Sequence, residues 1–280
     1  EPEKVDMIVF RENLEDVYAG VEWKHGSPEA AEVIRLINAR EGQYVAEDSA
    51  IGIKPMSARN SKNLVRRAIR YAIDNGRASV TLVHKGNIMK YTEGAFREWG
   101  YELARDEFPD TVITERECWD RYEGKRPGNL VVLNDRIADD MFQQALLNPA
   151  RYDVIATTNL NGDYLSDALA AQVGGVGIAP GANMGDGAAI FESIHGTAPR
   201  YAGKDIANPS ALILSGGMML RFLGWREAAD ALWKGLGAVI ARKTVTRDLA
   251  RRVEGATALG CAAFGEAVEK AVLSAGQGAP

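Results

Sequence analysis

The chain has 280 residues, 46% of them hydrophobic and 25% charged, the length of about two domains and the balance of a globular protein rather than a disordered one. Its 33 basic residues against 38 acidic ones leave a net charge of −5, which excludes a broadly basic nucleic-acid-binding face. Two cysteines, Cys118 and Cys261, exclude a disulfide scaffold and a cysteine-rich zinc site, and suit a reducing cytoplasm.

Residues 5–10 (VDMIVF) are short, apolar and β-branched, the pattern of a buried strand. The strand delivers a dense polar cluster, Arg11-Glu12-Asn13-Leu14-Glu15-Asp16, followed by Tyr18 and Gly20, and charges at the end of a buried strand mark ligand sites in α/β proteins. Ser27-Pro28 opens a helix with an apolar stripe of Ala30, Val33, Ile34 and Ile37. Residues 43–54 read as a strand broken by Gly52, and 61–74 as an amphipathic helix stopped by Asn75-Gly76. The arginines of that helix, Arg66, Arg67 and Arg70, read as a solvated face.

A strand over 79–83 ends in His84-Lys85-Gly86-Asn87, and a helix follows over 92–107. The polar stretch 117–129 reads as an exposed loop or hairpin, 135–147 as a helix closed by Asn148-Pro149, and 153–157 as the next strand. Asn159-Leu160-Asn161-Gly162-Asp163 then leads into a helix over 164–172. Residues 174–187 are glycine-rich, 190–194 strand-like, and His195-Gly196-Thr197-Ala198-Pro199 a loop. Helices over 211–223, 225–241 and 261–275 dominate the last third. The longest uncharged stretch, 168–185, is broken by Gly174, Gly175, Gly177, Pro180 and Gly181 and reads as turn-rich, not as a membrane helix. No secretory signal opens the chain, and the absence of an initiator Met points to a processed, trimmed or fragment N-terminus. The pattern predicts an α/β fold in two lobes.

Several residues have the chemistry of a site. Asp163 and Asp167, four apart on one helix face, present two carboxylates to one hard cation such as Mg²⁺ or Mn²⁺; they equally fit a helix N-terminus, where acids are favoured without a metal. Asp139 on another helix is a candidate third ligand. Lys85 at a strand end fits proton transfer in a cleft or an ordinary surface lysine. Arg11 fits bidentate capture of a carboxylate or an ion network with Glu12 or Glu15. Tyr18 fits an acid or a packed tyrosine. Gly174-Gly175-Val176-Gly177 lacks the strand–GxGxxG–helix context of a dinucleotide fingerprint. The small residues around His195, Gly196 and Thr197 allow a planar ligand to approach the backbone, and Arg200 suits a phosphate. Arg247 and Arg251, four apart, either meet the same phosphate or are solvated.

The runs VDMIVFRENLEDVYAGVEW (5–23), VTLVHKGNIMKYTEGAF (80–96), NLNGDYLSDALAAQVGGVGIAPGAN (159–183) and HGTAPRYAG (195–203) closely resemble the bacterial-type NADP-dependent isocitrate dehydrogenases of the isocitrate/isopropylmalate dehydrogenase superfamily. The resemblance covers essentially the whole chain. It implies a small α/β domain over 1–15 and 58–173, a clasp-like dimerisation segment over 16–57, and the C-terminal part of a split large domain, on the cofactor side, over 174–280. It also implies oxidative decarboxylation of isocitrate to 2-oxoglutarate and CO₂ with reduction of NADP⁺, a tricarboxylic acid cycle step dependent on Mg²⁺ or Mn²⁺.

Carried over by resemblance, Arg11 binds isocitrate carboxylates, Tyr18 protonates the enolate, Lys85 is the catalytic lysine with Asn87 beside it, and Asp139, Asp163 and Asp167 bind the metal. Lys85, Asn87 and Asp139 would serve the active site of a second copy, which implies a homodimer with shared sites. Arg200-Tyr201 and Arg251 correspond to ligands of the 2′-phosphate of NADP, and His195 and Asn208 flank the adenine. Arg247 departs from the tyrosine commonly seen there. The family also has an N-terminal segment, bearing a serine, an asparagine and further arginines that grip isocitrate, which this sequence does not contain. Two alternatives follow: an incomplete chain acting as a dimerisation or cofactor-binding module, and a sister NAD-dependent enzyme of the 3-isopropylmalate type. The expected partners are isocitrate and a second copy in the cytoplasm, with no nucleic acid and no membrane.

Overall fold

Short runs rich in valine, isoleucine and leucine pair in parallel and carry helices between them. In the computed structural model, which describes residues 2–276, the chain divides into two units between Leu169 and Ala170. Residues 1 and 277–280, the outer limits of the expected domains, lie outside the described residues. The first unit contains β1 (Ile8–Arg11), β2 (Glu22–Trp23), α1 (Pro28–Asn38), β3 (Ile51–Gly52), α2 (Ala58–Asp74), β4 (Ser79–His84), α3 (Glu93–Glu107), β5 (Val112–Thr114), α4 (Glu115–Tyr122), β6 (Val131–Ile137), α5 (Ala138–Leu147) and β7 (Val154–Thr157). The boundary between the units falls within α6 (Asn159–Val173).

Five strands form one sheet in the order β1-β7-β4-β6-β5, parallel throughout. Parallel sheets need both faces covered, and every residue of β4 is buried. Alternate residues of a strand point to opposite faces. Val80, Leu82, Val154 and Ala156 therefore pack with Val65, Ile69, Phe96 and Leu103 of α2 and α3. Val83 and Ile155 pack instead with Met141 and Ala145 of α5 and Leu165 and Leu169 of α6. Each fully buried leucine or phenylalanine contributes roughly 1.5–3 kcal/mol by leaving water. This α/β/α layering puts the carboxyl ends of all five strands along one edge.

Local chemistry sets the helix starts. Ser27 Oγ accepts from Ala30 N–H at 3.1 Å with Pro28 in the first turn, and Ser57 Oγ accepts from Asn60 N–H at 3.2 Å. The Ser57 cap begins α2 three residues before the expected start at 61.

Three expectations are corrected. Residues 117–129 are not all loop: Thr114 and Glu117 form a reciprocal capping box that starts α4, which ends at Glu123 and Gly124 in left-handed conformation. The expected helix over 135–147 begins only at Ala138, because Asn134, Asp135 and Arg136 belong to β6 between β4 and β5. Their polarity hides a strand whose upstream half, Val131 and Leu133, is buried. Within 43–54 only Ile51–Gly52 is strand, paired antiparallel with β2. Upstream, the Asn38 side chain holds both Val45 N–H (2.7 Å) and Val45 C=O (2.8 Å), occupying the groups a ladder would use.

In the second unit β8 (Pro180–Met184) and β9 (Ala189–Ser193) form an antiparallel hairpin. They are followed by α7 (Ser210–Phe222), α8 (Arg226–Ala241), β10 (Thr244–Thr246), α9 (Arg247–Ala250), β11 (Thr257–Leu259) and α10 (Cys261–Gly276). Ser215 of α7 accepts from Gly181 N–H at 3.2 Å and donates to Glu192 C=O at 2.7 Å, pinning that helix to the hairpin. Leu236, Val239, Val245, Leu249, Phe264 and Val268 form the core. No described helix is long and apolar enough to cross a membrane.

Candidate functional site

The carboxyl ends of the parallel strands collect the polar residues. In register, Arg11 lies opposite Thr157, and Thr157 opposite Val83 of β4. Arg11 turns onto α6, where its Nε donates to Asn159 Oδ1 at 2.9 Å and a terminal nitrogen donates to Asp163 Oδ1 at 2.6 Å. Its guanidinium also sits 4.9 Å from the centre of the Tyr18 ring. Arg11, Tyr18 and Asp163 therefore meet, and the expected pairing of Arg11 with Glu12 or Glu15 is replaced. Glu12 accepts from the N–H groups of Leu14 and Glu15, while Glu15 holds Ser57 and Asn60.

The approach depends on glycine. A Cβ on Gly162 would stand 2.6 Å from Arg11 Cγ and 3.0 Å from Thr157 Cγ2, so any larger residue pushes Arg11 off the helix. Partial desolvation of the half-exposed Tyr18 phenol, with the Asp163 carboxylate adding to it, raises it above its ordinary value of 10.0. Tyr18 thus keeps its hydrogen at neutral pH.

α6 starts at Asn159, earlier than the expected 164. Asp163 and Asp167 consequently lie beyond the first turn, where the helix-terminus explanation for paired acids no longer applies. They remain one turn apart on one face. Asp167 is exposed, with no ion pair among the described residues.

A second cluster surrounds Lys85. Its Nζ is paired with Asp139 at the start of α5, and this ion pair holds the Asp139 carboxyl below its ordinary value. The lysine is carried on a tight turn in which its own carbonyl accepts from Ile88 and Met89 N–H. Lys85 N–H donates to buried Glu93, and Gly86 N–H donates to His84 Nδ1 at 3.0 Å. With Nδ1 an acceptor, Nε2–H of His84 donates to Asp135 at 3.0 Å, and Tyr101 OH donates to the other Asp135 oxygen at 2.7 Å. Burial pushes the Asp135 carboxyl up, but these two hydrogen bonds outweigh it and leave it below its ordinary value. Gly86 is required because its Cα packs against Gly94, where a Cβ would come within 2.7 Å. Asn87 is exposed in the same turn.

Asp139 stays with Lys85 rather than joining Asp163 and Asp167. Among the described residues no three metal-ligating side chains converge within one chain.

In the second unit, His195 is exposed, with Nδ1 2.9 Å from Gly196 C=O, and Gly196 and Thr197 lead to a short turn carrying Arg200 and Tyr201. Asn208 donates to Asp248 at 3.0 Å, and Thr246 donates to the other Asp248 oxygen at 2.5 Å. These bonds place Asn208 beside α9, which Arg247 opens and which Arg251 follows. Arg200, Arg247 and Arg251 are exposed and make no ion pair among the described residues.

Several buried or half-buried polar residues received no role of their own from the sequence: Glu93, Lys54 and Asp135, and also Asp16, His84, Asn159 and Asn161, which it shows only as parts of the strand-end motifs. Their polarity is visible in the sequence, but their burial is not.

The isocitrate/isopropylmalate dehydrogenase family model matches residues 1–268. The chain is 59% identical over 270 residues to the isocitrate dehydrogenase [NADP] of Pseudomonas aeruginosa, and 57% identical over 267 residues to that of Archaeoglobus fulgidus. Each match covers 95% of this chain, which spans 64% and 65% of those relatives' lengths. Among solved structures, isocitrate dehydrogenase from Methylococcus capsulatus superposes with a TM-score of 0.75 and 37% identity, covering 94% of this chain and 66% of that one. The TT0538 protein of Thermus thermophilus gives 0.75 and 32%, covering 96% and 46%. With the model matched along nearly the whole sequence and the α/β architecture shared, the chain belongs to the isocitrate/isopropylmalate dehydrogenase family.

Proposed function

We propose that the chain carries the catalytic and cofactor-binding residues of an NADP-dependent isocitrate dehydrogenase, converting isocitrate to 2-oxoglutarate and CO₂ in sites shared by two copies. The reading rests on the meeting of Arg11, Tyr18 and Asp163 at the carboxyl edge of the sheet. The names of the relatives at 59% and 57% identity support it.

In this reading the planar fork of Arg11 grips a substrate carboxylate. Lys85 moves a proton at the substrate's hydroxyl oxygen, and Tyr18, held in its protonated form, returns a proton to carbon after CO₂ leaves. Asp163 and Asp167, with Asp139 from a second copy, are hard oxygen donors that suit Mg²⁺ or Mn²⁺. A bound divalent ion would polarise the substrate oxygens. Three exposed, unpaired guanidiniums fit a nucleotide with an extra phosphate, so Arg200, Arg247 and Arg251, with Tyr201, would hold the 2′-phosphate of NADP. His195, Gly196, Thr197 and Asn208 would line its adenine end.

The test is reduction of NADP⁺ by the purified protein with isocitrate and Mg²⁺ or Mn²⁺. Isocitrate-dependent NADPH formation is expected; oxidation of 3-isopropylmalate with NAD⁺ instead would overturn the reading. The second reading is a dimerisation and cofactor-binding module. That reading predicts NADP⁺ binding without turnover.

A further inference from the structure

Glu93, the first residue of α3, is fully buried with its carboxylate facing only donors. Its Oε2 accepts from Lys85 N–H at 2.8 Å and from the Asn161 side-chain amide at 2.9 Å. Its Oε1 lies 2.9 Å from Lys54 Nζ, a charge contact whose angle falls outside hydrogen-bond geometry. Lys54 also pairs with Asp16, whose side chain is fully buried. Asp16 in turn accepts from Leu160 N–H at 3.0 Å and Val17 N–H at 2.7 Å, and takes a left-handed backbone conformation (φ 72°) to do so.

Two buried carboxylates thus share one ammonium, and the remaining negative charge is met by donors from three segments. Those segments are the turn bearing Lys85, the first turn of α6 leading to Asp163, and the 16–19 turn bearing Tyr18. Burying such a group is costly unless every partner is kept, so the cluster holds only one arrangement of the three segments.

We propose that Glu93 is a positioning residue that locks the Lys85 turn to the first turn of α6. This rests on the function proposed above, in which Lys85 serves one shared site and Tyr18 and Asp163 the other. Glu93 therefore ties the two sites together through a single side chain.

Glu93→Gln tests it. All the neighbours of the carboxylate are donors, so whichever way the amide turns, its NH₂ meets another donor. Amide hydrogen exchange of the protein should quicken in both 85–89 and 159–163, with the core of β4 and β7 unchanged. The kcat for isocitrate should fall on the order of 10- to 100-fold with the KM for NADP⁺ within about twofold, the loss expected from misplacing groups by about an ångström. Arg66→Gln, which removes a surface pair with Glu107, should change neither segment. Should Glu93→Gln not fold, Asn161→Ala cuts only the link to α6 and should quicken exchange in both segments by a smaller factor. Faster exchange in 85–89 alone, faster exchange throughout the unit, or an unchanged kcat in a folded variant would overturn the proposal. A wild-type protein that does not oxidise isocitrate would refute the function, while the exchange comparison would still decide the link.

Discussion

At the scale of single residues, the site is governed by which charges have partners inside the chain. Arg11 and Lys85 are each neutralised by an aspartate, whereas Arg200, Arg247 and Arg251 have no such partner among the described residues. Arg200→Asp places a carboxylate where a 2′-phosphate is proposed to bind, and like charges cost affinity only for the nucleotide that carries that phosphate. We predict that the Kd for NADP⁺ rises at least tenfold while that for NAD⁺ changes less than twofold, measured by fluorescence titration. Equal losses would show that Arg200 does not discriminate. Arg11, Tyr18, Lys85 and Asp163 were singled out in the sequence through the family resemblance, since by residue type alone each fits a structural role as well. Glu93 and Asp16 were not, since a sequence displays a charge without displaying its burial. Both look like ordinary acids near a helix start or in a polar loop.

At the scale of elements, capping and strand position explain where expectation and structure part. The helix α4 exists because Thr114 Oγ accepts from Glu117 N–H while Glu117 accepts from Thr114 N–H and hydroxyl. The Thr114 N–H, and then its hydroxyl, hold the Glu117 carboxyl below its ordinary value of 4.5. A carboxyl lowered by folding stabilises above its unfolded value, and that stabilisation is lost as pH falls through the folded value. Glu117→Gln should therefore cost about 1 kcal/mol in urea unfolding at pH 7 and less at pH 3. A cost that is the same at both pH values would show that the charge is not what closes the cap.

The spacing of apolar residues revealed β1, β4 and β7, whose runs are nearly uninterrupted. β6 escaped because its downstream half is Asn134-Asp135-Arg136, and two of these are polar for a reason outside the strand: Asp135 holds His84 and Tyr101, and Arg136 holds Glu115. Period-two reasoning fails where a strand end doubles as the support of a neighbouring turn.

At the scale of the whole molecule, the first unit builds both charged clusters along one sheet edge. Within one chain, however, Asp139 is committed to Lys85 and Asp163 to Arg11. If the sites are shared, neither cluster is complete alone, and sedimentation should find two copies associated under assay conditions; a monomer would remove the sharing. The layered α/β fold was legible from alternating strands and helices. The separation of Asp139 from Asp163 and Asp167 was expected only through the family resemblance, because linear spacing cannot say whether Asp139 approaches Asp163 in its own chain or in another.

The most direct measurement is anomalous diffraction from crystals soaked in Mn²⁺. One ion held by Asp163 and Asp167 of one copy and Asp139 of a second is expected, with Lys85 released from Asp139. Manganese bound elsewhere, or Asp139 still on Lys85 and Asp163 still on Arg11 in the soaked crystal, would contradict it.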